Sequence, residues 1–219
     1  MATTMDAAVL RDALSRAATR FEQEEARLNA LDGAIGDGDH GITVRIGFNA
    51  IRAELGALEG TPALDAILRT AGMAFMGATG GAIGVIFGKA LSSSGLALRG
   101  VAQIGPAEFI AMLKGMESAV AATGKAKPGD KTILDAMHAA AGVAPLPDLV
   151  ETMRAACVAA EGAAAETAKW PCKVGRASRL GDRSIGHPDP GAVSFGIFLR
   201  TLLESVEAGA GTTPLGPTS

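Results

Sequence analysis

The chain has 219 residues, with 20 Lys and Arg against 23 Asp and Glu, a formal charge of −3, 29 glycines, two cysteines and no tyrosine. That length suits a single domain with its own core, so neither disulfides nor a structural metal is needed to hold it together. Hydrophobic residues at 48% and charged residues at 20% exclude wholesale disorder, and the slight negative charge argues against a nucleic-acid binder, which would show a basic patch.

The first predicted helix runs over roughly residues 5–31, because Leu10, Leu14, Ala17, Phe21, Leu28 and Leu31 fall on one face at helical spacing. Breakers and caps place further helices at roughly 43–58, 62–78, 81–95, 106–123, 131–143, 147–169 and 190–208. Phe195, Phe198, Leu199, Leu202 and Val206 mark the buried face of the last. Strict apolar/polar alternation is absent, so strands are not expected. Short connections favour antiparallel neighbours in an up-and-down arrangement. Residues 1–208 are expected to form one helical domain, and residues 209–219 a flexible tail rich in Gly, Thr and Pro.

The start of the chain carries acids early and lacks an apolar core segment, so no signal peptide and a cytoplasmic protein are expected. Cys157 and Cys172 lie in no CxxC or Cys/His cluster and are expected to be reduced thiols. Residues 71–88 are uncharged for 18 positions, the threshold length for a membrane span. Six of them are glycines, and Gly80-Gly81 breaks the run, which fits two helices meeting at a loop.

The sharpest chemical feature is LDGAIGDGDHG at 31–41, in a Gly/Asp loop expected over 32–43. Asp32, Asp37 and Asp39 repel one another, so a site that gathers them calls for a cation. Glycines let the backbone curl so that the carboxylates converge. Hard oxygen ligands without thiolates suit Mg²⁺ or Ca²⁺. The EF-hand pattern fails, since twelfth from Asp37 stands Phe48 rather than Glu. Mg²⁺ fits better, because it keeps waters and shares phosphate oxygens. The alternative is an Asp/Gly-rich surface turn. A second feature, GATGGAIG at 77–84, opens a helix whose N–H groups suit phosphate, although a small-residue packing seam explains it equally well.

Gly129-Asp130-Lys131-Thr132 reads as a helix start. Residues 171–188 have little periodicity and carry Arg176, Arg179 and Arg183, a composition suited to anions. They lead into Asp189-Pro190, an N-cap and first-turn proline for the last helix. His40 adjoins the acidic cluster and suits either a phosphate oxygen or a local hydrogen bond. His138 reads as structural or surface, and Trp170 as a plug at a helix end. Together the acidic loop, the Gly-rich helix start and the Arg-bearing segment are parts of a nucleoside triphosphate site, drawn from distant stretches of chain.

Four stretches carry a family resemblance: LDGAIGDGDHG (31–41), GGAIG with the FG after it (80–84, 87–88), KPGDKT (127–132) and GRASRLGDRSIGHPDPGA (175–192). In this order they resemble the L subunit of dihydroxyacetone kinase, also found as the C-terminal domain of single-chain dihydroxyacetone kinases. The resemblance implies an all-α barrel of eight antiparallel up-and-down helices, with ADP or ATP bound at one end. It implies two Mg²⁺ ions on Asp32, Asp37 and Asp39. It puts His40, Gly41, Ile42, Thr43, Gly81, Ala82, Ile83, Gly124, Thr132, Asp189, Pro190 and Gly191 around the nucleotide, and Arg176 at the phosphates as the catalytic residue.

The implied reaction is phosphoryl transfer from Mg-ATP, or from a bound ADP rephosphorylated by a phosphotransferase-system protein, to a short-chain ketose on a separate K subunit. Three departures touch the substrate or partner rather than the metal loop. Ile83 stands where Ser is frequent, Arg179 where Tyr is usual, and Lys89 where a small or polar residue is usual. They keep open a kinase for another ketose such as erythrulose. A catalytically silent, nucleotide-bound regulatory module is the alternative of a different class.

Overall fold

In the computed structural model, residues 3–210 are described, apart from the side chains of Arg176 and Ala210. Eight α-helices follow one another: α1 (Ala7–Ile35), α2 (His40–Ala57), α3 (Leu64–Ala78), α4 (Gly81–Ala97), α5 (Pro106–Gly124), α6 (Ile133–Ala141), α7 (Leu149–Glu166) and α8 (Pro190–Ala210). Two 3₁₀ segments, Thr167–Lys169 and Arg176–Ser184, lie between α7 and α8. No strand occurs among the described residues, and the single β-bridge joins Met5 to Ile104. None of these helices is long and apolar enough to cross a membrane.

Each helix packs on the next in sequence, and α8 packs back on α1, so the helices close into a ring. Residues from the C-terminal ends of α1 and α5 line one cleft with residues from the N-terminal ends of α2, α4, α6 and α8. Alternate helices therefore run in opposite directions, as the all-α up-and-down expectation requires.

An aromatic cluster fills the middle of the ring. Phe48 of α2 is its hub, with ring centroids 4.5 Å from Phe21, 5.6 Å from Phe75, 5.8 Å from Phe87 and 5.6 Å from Phe198. One side chain thus ties together α1, α2, α3, α4 and α8. Glycines set the closest approaches: a Cβ at Gly47 would collide with the Phe75 ring, and at Gly72 with Ser92 and the Gly88 carbonyl. Gly72 and Gly88 therefore pack α3 on α4, and the helical run of residues 71–88 breaks at Gly80 as expected.

The helix ends differ from the sequence expectation in ways that matter for the cleft. Helix α1 runs on to Ile35 and carries Asp32 in its last turn, while α2 starts at His40. The loop expected over 32–43 is therefore only four residues, 36–39. Helix α6 begins at Ile133 rather than 131, because Lys131 has a left-handed backbone (φ 63°) that a helix cannot include. Residues 171–188 are not structureless, since they hold the 3₁₀ segment. Of the expected tail, Gly209 and Ala210 end α8, and residues 211–219 lie outside the described residues.

Candidate functional site

The cleft at the end of the ring has a volume of about 760 Å³. Four helix N-termini open onto it, each equivalent to about half a positive charge. Two of them are already occupied. At α6 the Thr132 hydroxyl accepts from Leu134 N (3.2 Å), and Asp135 accepts from Thr132 N (2.7 Å) and Gly129 N (2.5 Å). At α8 the Asp189 carboxylate accepts from Ala192 N (2.9 Å). The N-cap residues of α2 and α4, Asp39 and Gly80, make no side-chain cap, although in α2 Asn29 of α1 already takes one first-turn N–H. Gly81 has φ 71°, a conformation that suits glycine, and a Cβ there or at Gly80 would meet nothing within 4 Å. The start of α4 is thus open to a ligand, whereas Gly84 packs under Thr79 and serves the helix. The packing reading of the 77–84 run fits Gly84, and the open space at Gly80 and Gly81 is what the phosphate reading requires.

The three aspartates, Asp32 at the end of α1 and Asp37 and Asp39 in the loop, converge at one edge of this cleft. Asp32, Asp37 and Asp39 each present a carboxylate oxygen, and these oxygens lie within 4.8 Å of one another. Asp32 organises the turn: its Oδ2 accepts from Gly38 N (2.8 Å) and Asp39 N (3.0 Å). Gly38 takes φ 80°, and a Cβ at Gly36 would collide with Asp32 Oδ1. The turn therefore forms only with glycine between the acids. Three hard oxygen donors in that space fit a divalent cation with part of its water shell retained.

His40 is buried, and its Nε2 lies 3.1 Å from Ser194 Oγ, which donates to the Gly191 carbonyl (2.9 Å). With the hydroxyl proton so used, Nε2–H is the donor to Ser194, and the imidazole ties the start of α2 to that of α8. Burial pushes His40 down to about 4, opposed by nearby Asp32, so the ring is neutral. Burial pushes Asp189 up to about 7, against the pull of the Ala192 N–H.

Of the residues expected around the nucleotide, His40, Thr43, Gly81, Ala82, Ile83, Gly124, Thr132, Asp189, Pro190 and Gly191 all line the cleft with the three aspartates. Gly41 and Ile42 do not. A Cβ at Gly41 would collide with the Glu25 carbonyl of α1, so this glycine sets how closely α2 approaches α1. Ile42 is partly exposed, and its N–H donates to Asn29 Oδ1 (3.1 Å). The Arg176 side chain lies outside the described residues, while its neighbours Gly175 and Ala177 line the cleft. His138 is on the surface, paired with Glu117 Oε1 at 2.6 Å. Both cysteines are free and buried.

The structure adds residues that the sequence reading left out. Ile86, Val120, Ala126 and Ile133 form an apolar wall. Cys172 lies at the cleft with its thiol on the Val174 carbonyl (3.1 Å), and burial raises its pKa, so it is no thiolate. Lys131 is also there, buried to 1% exposure, and burial lowers its pKa while Cys172 and Asp189 oppose that shift. Lys131 lies inside the KPGDKT stretch, but nothing local in the sequence tells which way its side chain turns.

The chain is thus an all-α domain, a closed ring of antiparallel helices with an acidic triad at a cleft of helix N-termini. The chain belongs to the DAK2 domain family, whose model matches residues 34–204. It is 35% identical over 208 residues to the ADP-binding subunit DhaL of the PEP-dependent dihydroxyacetone kinase 2 of Listeria innocua, covering 93% of this chain and 96% of that one. It is 34% identical to the corresponding Escherichia coli subunit, covering 86% and 92%. It is 35% identical to the D-erythrulose kinase of Mycolicibacterium smegmatis over 89% of this chain, but only 34% of that longer protein. The crystal structure of the C. freundii dihydroxyacetone kinase in complex with AMP-PNP and Mg²⁺ superposes with a TM-score of 0.71 at 24% identity, over 94% of this chain and 35% of that one. At this identity the likeness is one of fold.

Proposed function

We propose that this chain is the nucleotide-binding, phosphoryl-transferring subunit of a dihydroxyacetone-type kinase. The observation that carries the proposal is the convergence of three carboxylates on a cleft of helix N-termini. Asp32, Asp37 and Asp39 would hold Mg²⁺, two ions by the family pattern, and bound Mg²⁺ neutralises the charge of the nucleotide phosphates. The open first turn of α4 at Gly81, Ala82 and Ile83 donates N–H groups to a phosphate, and Ile83 contributes backbone alone. The wall of Ile86, Val120 and Ile133 takes the apolar part of the nucleotide and keeps water out. Arg176, on a segment bordering the cleft, is assigned to the charge of the transferring phosphoryl group.

The acceptor is a short-chain ketose held by a K-type partner. Relatives are named for dihydroxyacetone kinase, for D-erythrulose kinase and, in human, for triokinase/FMN cyclase, so the proposal stops at the class. The full-length likeness to ADP-binding subunits of PEP-dependent kinases favours a bound ADP cofactor rephosphorylated by a protein donor.

The test is the nucleotide content of the purified chain, by denaturation and chromatography, before and after desalting with EDTA. Stoichiometric ADP released only by EDTA is the expected result. Reversible Mg-ATP binding to an empty protein would shift the donor to ATP. No nucleotide in either condition would overturn the proposal.

A further inference from the structure

The segment between α7 and α8 is a loop with a closed neck. It leaves the ring at Trp170 and returns at Ser184. Between them Val174, Gly175 and Ala177 reach the cleft. The Lys131 ammonium sits in the neck and donates to both sides at once, to the Trp170 carbonyl (3.1 Å) and the Ser184 carbonyl (2.6 Å). The same short stretch adds further fastenings. Asp130 O accepts from Lys173 N (3.1 Å), and Ser184 Oγ accepts from Cys172 N (2.8 Å).

The backbone at Lys131 makes the side chain's task visible. Its φ of 63° is a conformation that glycine adopts without strain and that other residues seldom take. A buried ammonium is costly too, unless its protons find acceptors. Strain and desolvation at one residue persist only where the surroundings over-determine them, and two carbonyls fourteen residues apart in sequence do so here.

We propose that Lys131 is a positioning residue for the nucleotide site: its ammonium clamps the neck of the 171–184 loop and so holds the loop's cleft-facing residues in place. The role in nucleotide binding rests on the function proposed above; the clamping itself does not. No bond is made or broken in it.

The chain contains one Trp and no Tyr, so emission from Trp170 reports on the neck directly. Three proteins are compared: the parent, Lys131→Met, which keeps the length without the charge, and Lys131→Gly, which also removes the left-handed strain. Each is measured without nucleotide for circular dichroism and acrylamide quenching of Trp170, then for binding of Mn²⁺ alone and of Mg-ADP.

In both variants the helical signal is unchanged, quenching of Trp170 rises about twofold or more, and Mg-ADP binds about tenfold more weakly, while Mn²⁺ alone binds within about twofold of the parent. Should Lys131→Met fail to fold, Lys131→Gly carries the comparison. Parent-like quenching and Mg-ADP affinity in a folded variant overturn the proposal. An equal loss of Mn²⁺ and Mg-ADP binding also overturns it, since that marks a general loosening. If the parent itself binds no Mg-ADP, the functional reading fails, and the quenching decides the clamp separately.

Discussion

Replacing Asp37 with Asn should move stability in opposite directions with and without ligand. The three acidic oxygens lie within 4.8 Å of one another. Two unit charges at that separation repel by about 1 kcal/mol even at the dielectric of water, and the distance is shorter than the ~8 Å screening length at physiological salt. Asp37 belongs to two such pairs. The unfolded chain keeps part of this repulsion, because the acids are close in sequence. Relief of repulsion therefore gives the metal-free variant at most about 1 kcal/mol, or about 2–4 °C in Tm for a chain of this size, less whatever the other interactions of Asp37 supply. Asn keeps the shape and one acceptor oxygen, so the fold itself is undisturbed.

With Mg-ADP the order reverses. Losing even a partner behind a metal ligand costs about 10–100-fold in affinity, so losing a charged ligand costs at least that. At 100 times the parent's Kd, ligand stabilises the parent by about 2.7 kcal/mol and the variant by only about 0.4–1.4 kcal/mol. Calorimetric melts in EDTA and in Mg-ADP read both arms. A variant less stable than the parent in EDTA, yet equally stabilised by Mg-ADP, would refute the assignment of Asp37 to a cation.

Phe48→Ala empties the hub of five helices and should cost about 3–5 kcal/mol in urea unfolding; a loss under about 1 kcal/mol would mean that the core re-packs freely. Gly41→Ala should cost about 1–3 kcal/mol by pushing α2 off the Glu25 carbonyl; unchanged stability with weakened nucleotide binding would instead restore Gly41 to direct contact with the ligand. Asp189, held up to about 7 against an ordinary 3.8, binds its proton more tightly in the folded chain. Its contribution is full below the unfolded value and is lost as pH rises through 7. His40, lowered from 6.5 to about 4, contributes in the opposite direction, rising with pH between those values. Ligand-free Asp189→Asn should therefore show stability rising from pH 4 to 6.5 and flat to 7.5, where the parent falls toward neutrality. Identical pH slopes would place Asp189 in an ordinary carboxylate environment.

Helix periodicity, the glycine breaks and the Asp/Gly run all depend on neighbours a few residues apart, so the sequence alone determined that the chain is helical. It also determined that Asp32, Asp37 and Asp39 are the acidic feature and that Asp189-Pro190 starts the last helix. The family resemblance, carried by four stretches, located about half of the cleft lining. What it could not tell was which glycine is left open to the cleft and which serves packing. Gly41 and Gly81 look alike in one dimension, but the Glu25 carbonyl stands against the first and open space before the second.

Tertiary structure also decided the length of α1, which puts Asp32 on a rigid helix end rather than in a loop. Most of all it decided the place of Lys131. A side chain turned inward by a left-handed backbone, to meet carbonyls at 170 and 184, depends on contacts 39 and 53 residues away. No local propensity encodes such contacts, because they exist only once the ring has closed.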